Sequence, residues 1–332
     1  MSSFLGKHWF LITLALGLSS TLLFPSPMHG VTDFWEPRLT VGLSLFLMAW
    51  TMPAHSLMAE FRQPYASLWA VLLSYGLVPL CAWLIGLAAP VDVQIGLILV
   101  SSVPCTLSSA ILWTRLAGGN EATALLAVMG TIVISWFATP LLLNLLTETS
   151  LAANAVTGIM LDLILSLIVP MLVGQALRLI PACARFADRY KISLSVLSQG
   201  LVLAIVLKAG VTVGDKVHAD SALETPLIFL WSVGLAVTLH LAALTAGMIS
   251  CRWFGFNRGR QIAVAFSASQ KTLQVSLLLY DQYFMARYPF AVMPLLFYHV
   301  GQLLLDTLIA RHMAGSAEPG IRSQGSGVRS QE

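Results

Sequence analysis

Ten stretches of roughly twenty predominantly apolar residues succeed one another along this chain, separated by short polar joints, and each is long enough to cross a hydrocarbon core as a helix. They lie at 9–24, 39–58, 67–87, 93–117 and 122–146, then at 155–180, 192–213, 226–249, 260–279 and 289–309. With 57% apolar and 10% charged residues among 332, against roughly 45–50% and 25% in soluble domains, and a mean hydropathy of +0.82, no length remains for a soluble domain. The predicted fold is an all-α polytopic membrane protein of ten transmembrane helices in one domain over 1–312. The two halves, about 1–150 and 151–312, carry five helices each and therefore enter the membrane in opposite directions, as inverted repeats do. Residues 313–332, rich in Gly, Ser and Arg without apolar periodicity, read as a disordered cytoplasmic tail. Lys7 and the run at 9–24 have the outline of a signal peptide, but no small-residue cleavage site follows, so the run is read as the first span.

Basic residues fix the orientation, because they are retained in cytoplasmic loops. With the amino end inside, Lys7, Arg62, Arg115, Arg178, Arg185, Arg189, Lys191, Arg252, Arg258, Arg260, Arg311, Arg322 and Arg329 are cytoplasmic. Only Arg38, Lys208, Lys216 and Arg287 fall outside, and Lys271 is left within a span. Both termini are thus expected on the cytoplasmic side of a plasma or inner cell membrane. A net charge of +3 is too small to suggest a nucleic-acid partner. The four cysteines form no C-x-x-C pair and read as free thiols. Metalloprotease, nucleophile-elbow and Walker motifs are absent from the sequence, as is any motif for a cofactor, so an enzyme is not expected. The tryptophans fall mostly near span ends, as belt residues do.

Two spans carry residues that lipid does not favour. The fourth holds Ser101-Ser102-Val103-Pro104-Cys105-Thr106-Leu107-Ser108-Ser109, and the ninth holds Ser267-Ala268-Ser269-Gln270-Lys271-Thr272-Leu273-Gln274. Aligning Gln94-Ile95-Gly96 with Gln261-Ile262-Ala263 sets Pro104 opposite Lys271. Interrupted polar stretches at matching positions of two repeats point to a midplane substrate site. The bland alternative is that the hydroxyls bond their own helix and the proline only kinks it. Lys271 favours the functional reading, since a lysine at mid-membrane costs at least about 2.5–3.5 kcal/mol. Asp162 is the first candidate for its counter-ion and Glu121 the second, while Asp306 is expected to pair with Arg311. His240 and His299 read as hydrogen-bonded structural histidines rather than proton relays, and His55 as interfacial. A retinal Schiff base fits badly, because retinal proteins have seven helices.

The chain resembles the bile acid:sodium symporter family over essentially its whole length. Gly42-Leu43-Ser44-Leu45-Phe46-Leu47-Met48 is similar to the family's second helix, and Ser74-Tyr75-Gly76-Leu77-Val78-Pro79-Leu80 to its third. Val103-Pro104-Cys105-Thr106-Leu107-Ser108-Ser109 and Ala117-Gly118-Gly119-Asn120 resemble the broken fourth helix and the joint after it, with Thr139-Pro140 closing the fifth. Gln270-Lys271-Thr272 stands where the family has a glutamine-asparagine pair. The Gly-Gly-Asn-Glu joint and the ninth-helix lysine look closest to a sodium–bile-acid-like branch grouped with cation–proton antiporters.

The resemblance implies that broken helices four and nine cross at the midplane of a core that moves against a panel. It further implies two sodium ions behind the crossing and a small organic anion as substrate. Ser108, Ser109, Gln270 and Thr131 remain as oxygen ligands for sodium, but Ser109 stands for an asparagine, Ser74 for the helix-three glutamine and Phe266 for a glutamate. Phenylalanine offers a dehydrated cation nothing. The expectation is therefore a secondary transporter of an organic anion with Ser108, Ser109, Gln270, Lys271 and Thr272 at the crossing and Ser74, Thr131, Asn120 and Glu121 near it. In it Lys271 supplies the positive charge that sodium supplies elsewhere. Its amine would permit proton coupling if it exchanges a proton within the bilayer. Uncoupled transport and sodium symport through a rearranged site stay open, as does a membrane sensor that keeps the fold without transport. Steroid, keto acid and vitamin precursor are not distinguished.

Overall fold

The computed structural model describes residues 2–52, 60–147, 153–219 and 225–315. Every regular element among them is helical: α1 (Ser2–Leu23), α2 (Pro25–Thr32), α3 (Pro37–Trp50), α4 (Tyr65–Gly86), α5 (Val91–Ser102), α6 (Ser109–Leu116) and α7 (Glu121–Leu146) in the first half. The second half has α8 (Ala153–Arg178), α9 (Pro181–Arg189), α10 (Lys191–Ala219), α11 (Thr225–Trp253), α12 (Arg258–Ser269), α13 (Leu273–Leu279) and α14 (Val292–Gly315). Among the described residues, seven segments are long and apolar enough to cross a membrane, namely α4, α7, α8, α10, α11, α12 with α13, and α14. Shorter apolar helices, Ile12–Leu23, Pro37–Trp50 and Val91–Ser102, fall on the other three runs expected from sequence. Residues 53–58 of the second run, His55 among them, lie outside the described residues, as do 316–332 of the expected tail. The tail boundary at 313 needs correction, because α14 continues to Gly315.

Local chemistry sets the helix ends. Asn120 Oδ1 accepts from the N–H groups of Ala122 and Thr123, and Asn257 Oδ1 from that of Arg260, so each asparagine satisfies donors that the first turn leaves bare. Gly118, at φ +74°, supplies the left-handed residue after α6. Five-residue π segments interrupt α4 at Leu73–Leu77 and α8 at Ile164–Ile168, and a third follows α13 at Tyr280–Phe284. The first two run directly into Val78-Pro79 and Val169-Pro170. Proline has no N–H to donate, and the wider π turn absorbs the mismatch.

The helices pack as two groups. α1, α2, α3, α8 and α10 pack together, and α4, α5, α6, α7, α11, α12 and α14 form the second and larger group. α13 lies between them, touching α3 and α10 on one side and α5 and α14 on the other. The most apolar window of the α12–α13 segment is entirely buried inside the protein, so its polar residues face protein rather than lipid. Gly96 permits a close approach to the turn before α14, for a Cβ there would collide with the carbonyl oxygen of Ala291.

Candidate functional site

α5 stops at Ser102 because Pro104 disfavours helix at the residue before it, and Val103 is accordingly extended at φ −88°, ψ 160°. Helix resumes at Ser109. α12 likewise ends at Ser269, with Gln270 at φ −74°, ψ 132° and Thr272 at φ −82°, ψ 108°. The two extended breaks lie against each other and exchange hydrogen bonds. Thr272 donates to the carbonyl of Pro104 from its N–H at 3.0 Å and its hydroxyl at 2.9 Å. Thr106 Oγ1 donates to the carbonyl of Lys271 at 2.8 Å. Pro104 and Lys271, set opposite each other in the sequence alignment, thus both lie within these two breaks, each as the acceptor of a bond from a threonine of the other. Gln302 of α14 fastens the second break, accepting from the Lys271 N–H at 3.0 Å and donating to the Lys271 carbonyl at 3.1 Å. Thr131 fastens the first, its hydroxyl accepting from the Cys105 N–H at 3.2 Å.

Lys271 is 1% exposed. Its ammonium donates to the carbonyl of Ser74 at 2.8 Å, to the Ser74 hydroxyl at 2.8 Å and to the carbonyl of Val103 at 3.2 Å. The Tyr75 ring lies 5.5 Å from the nitrogen. Three donors meet three oxygens, which satisfies a lysine without a carboxylate. The Ser74 carbonyl is available for a backbone reason. Val78 N–H bonds to Leu73 rather than Ser74, and the next nitrogen along belongs to Pro79, which has no hydrogen. The π segment therefore presents an unpaired carbonyl, and Lys271 takes it.

The expected counter-ions are corrected. Asp162 lies 2.7 Å from Arg38 Nε and accepts from the Tyr283 hydroxyl at 2.8 Å, while Glu121 pairs with Arg115. Asp306 does not pair with Arg311. It is fully buried, accepting from His240 Nε2 at 2.8 Å and from the Gln270 amide. Gln270 Oε1 in turn accepts from Ser109 Oγ at 2.6 Å. The chain Ser109–Gln270–Asp306–His240 leads from the cavity wall into the interior, where His240 Nδ1 meets no hydrogen-bond partner. This network escaped the sequence reading. A signal was present, because His299, Gln302 and Asp306 recur at intervals of three and four along one apolar span, the spacing of a single helix face.

Of the expected site residues, Ser109, Gln270, Lys271, Thr272, Ser74 and Thr131 gather at the crossing. Ser108 lines the cavity beside it. Asn120 instead caps α7, and its N–H bonds to the carbonyl of Gly259. Glu121 sits at the cavity wall beside Arg115.

That cavity measures about 600 Å³, within the usual range for small-molecule sites. Thr106, Ser108, Ser109, Thr272, Gln274 and His299 supply polar groups from the crossing, and Met48, Ile111, Val202 and Leu303 supply apolar wall. Gln302 donates to His299 Nδ1 at 2.9 Å, which leaves Nε2 to carry the ring proton. Gln274 donates to Ser44 at 2.8 Å and keeps its Oε1 without a partner. Lys191 and Arg115 line the cavity at helix ends.

Residues 8–315 match the SBF-like CPA transporter family. The chain is 28% identical over 333 residues to a Pseudomonas aeruginosa protein named uncharacterized protein PA2026, covering 94% of each. It is 25% identical over 332 residues to sodium/bile acid cotransporter 7 of Danio rerio, covering 91% of this chain and 92% of that one. The Xenopus tropicalis protein of the same name is 24% identical over 327 residues, with 92% and 91% covered.

Proposed function

The chain belongs to the SBF-like CPA transporter family, and on that premise we propose that it is a secondary transporter of a small organic anion in which Lys271 replaces a coupling sodium ion. The observation that carries this reading is the seat of Lys271. Its ammonium rests on Ser74, the position that corresponds to the glutamine contributed by helix three to sodium in bile acid:sodium symporters, and on a main-chain carbonyl of the fourth-span break. A cation built into the chain needs no sodium there. The second expected sodium position fits the ion poorly. Gln270 Oε1 is taken by Ser109, its amide by Asp306, and Phe266 fills the place of a carboxylate.

The cavity supports an organic anion as cargo. It joins apolar walls to hydroxyl, amide and imidazole groups, with the basic Lys191 and Arg115 among its lining. Ten crossings in two inverted halves, 1–150 and 151–312, accord with three shorter apolar helices beside the seven long ones and with the reciprocal bonds between the breaks. We read both termini as cytoplasmic, at a plasma or inner cell membrane, a reading supported by the basic Arg115, Arg178 and Lys191 gathering at one end of the helices.

The test is uptake into proteoliposomes of radiolabelled taurocholate, a hydroxy acid and a keto acid, under sodium, proton and choline conditions. The expected result is accumulation of at least one anion at equal rates in sodium and choline, with Lys271→Met folded and inactive. Sodium-dependent uptake would overturn the coupling reading. Uptake of no anion would support a sensor that keeps the fold.

A further inference from the structure

The cavity and the crossing leave a third polar cluster unaccounted for, at the opposite end of the helices. Arg178 donates to the carbonyl of Trp50 at 2.9 Å and to Asp188 at 2.8 Å, which places the end of α3 and the end of α8 beside the start of α10. Asp162 lies sixteen residues before Arg178 on α8, about 24 Å away along the axis, and Arg38 begins α3 at its other end. Tyr283 is likewise remote from the start of α12, where the carbonyl of Gly259 meets Asn120. The Arg38–Asp162–Tyr283 cluster and the cavity mouth at Lys191, Arg115 and Glu121 therefore occupy opposite faces.

The cavity stops short of that cluster. It is lined along α10 from Lys191 to Val202 and along the ninth span as far as Gln274. Beyond lie the buried Val275, Ser276, Leu277, Leu278 and Leu279, and Tyr283 stands nine positions after Gln274, about 13 Å along the helix. At the far end the Tyr283 hydroxyl donates to Asp162 Oδ2 at 2.8 Å. Arg38 holds the same carboxylate through Nε at 2.7 Å and Nη2 at 3.2 Å. Gly158 forms the notch under the hydroxyl, for a Cβ there would stand 2.6 Å from it. Asp162 and Arg38 belong to the smaller helix group and Tyr283 follows α13, so this hydrogen bond ties the ninth span to the smaller group at the closed end.

We propose that Tyr283, seated over Gly158 on the Asp162–Arg38 pair, is the latch that keeps this face closed, and that its release opens the cavity to the other side. The inference rests on the transporter reading. A neutral hydroxyl on a carboxylate already neutralised by arginine is strong enough to hold and weak enough to release. The same Arg38–Asp162 pair stays intact on its own side of the boundary, so opening separates no ion pair.

Accessibility measures this without any substrate. In a chain with Cys81, Cys105, Cys183 and Cys251 replaced by alanine, Leu277→Cys is labelled in sealed proteoliposomes with a membrane-impermeant maleimide offered from the latch side. Tyr283→Phe removes only the hydroxyl and Gly158→Ala pushes it from its notch. Each is expected to raise the labelling rate roughly tenfold, with an unchanged size-exclusion profile. A rate equal to that of the parent in both variants overturns the latch, whatever anions are carried. Faster labelling in vesicles that carry no anion supports the latch and counts against transport, so the two proposals fail separately.

Discussion

Lys271→Ala isolates what the buried ammonium does. The substitution removes donors from three oxygens. The Ser74 hydroxyl turns to another acceptor at little cost, but the carbonyls of Ser74 and Val103 are fixed by their backbones. The first is bare because Val78 N–H is committed to Leu73 and Pro79 has none, and the second lies in the extended break. A buried acceptor left unpaired costs about 1–3 kcal/mol, so the pair accounts for about 2–6 kcal/mol. The desolvation of the ammonium, no longer required, acts in the opposite direction, which makes this an upper figure. The sodium increment carries the decision. The space vacated by three methylenes and a nitrogen is ringed by the oxygens that held the cation, and sodium at a hundredfold excess over its Kd would restore about 2.7 kcal/mol. The assay is thermal unfolding of detergent-purified protein in sodium chloride against choline chloride at fixed ionic strength. Wild type is expected to unfold identically in both salts, and Lys271→Ala to unfold earlier in choline and recover part of the loss in sodium. An alanine variant as stable as wild type, or one destabilised equally in both salts, would refute the view that the amine stands in for sodium.

Other perturbations follow from the same contacts. Asp306→Asn keeps the shape but leaves one oxygen to accept from two donors, the His240 ring and the Gln270 amide, so a loss of about 1–3 kcal/mol is expected in chemical unfolding. Gly96→Ala must push a methyl group into the carbonyl of Ala291. It should cost about 1–3 kcal/mol, read as an earlier thermal transition. His29, on α2, lies between Asp33 and Asp215, and the hydrogen bond to Asp33, aided by the charge of Asp215, raises its pKa above 6.5. The stabilisation is therefore full below pH 6.5 and disappears as pH rises through the raised value. His29→Gln should lower the melting temperature at pH 5.5 and leave it unchanged at pH 8.5.

How much of this was legible in the sequence depended on whether the signal was local. Pro104 announced its break because a missing N–H acts on the adjacent residues, and the ninth-span break followed from a polar run too long for a lipid-facing helix. The partner of Lys271 was not legible as a carboxylate because there is none. The acceptor arises from Pro79 five residues beyond Ser74, a backbone effect that a search for opposite charge passes over. Asp162 and Arg38 are 124 residues apart and meet only through the packing of α8 on α3. Asp306 was assigned to Arg311 by nearness in sequence, whereas helix phase turns it inward with Gln302 and His299. Asn120 was expected near the site because its Gly-Gly-Asn joint resembles the family's, yet its position before a long helix is that of a cap.

Equilibrium binding of radiolabelled sodium to the purified wild-type chain, at fixed ionic strength in choline, tests the replacement of sodium by Lys271 most directly. The result expected is no saturable binding at millimolar sodium, with saturable binding appearing in Lys271→Ala. Saturable binding of one or two ions per chain to the wild type would contradict it and place sodium beside the lysine.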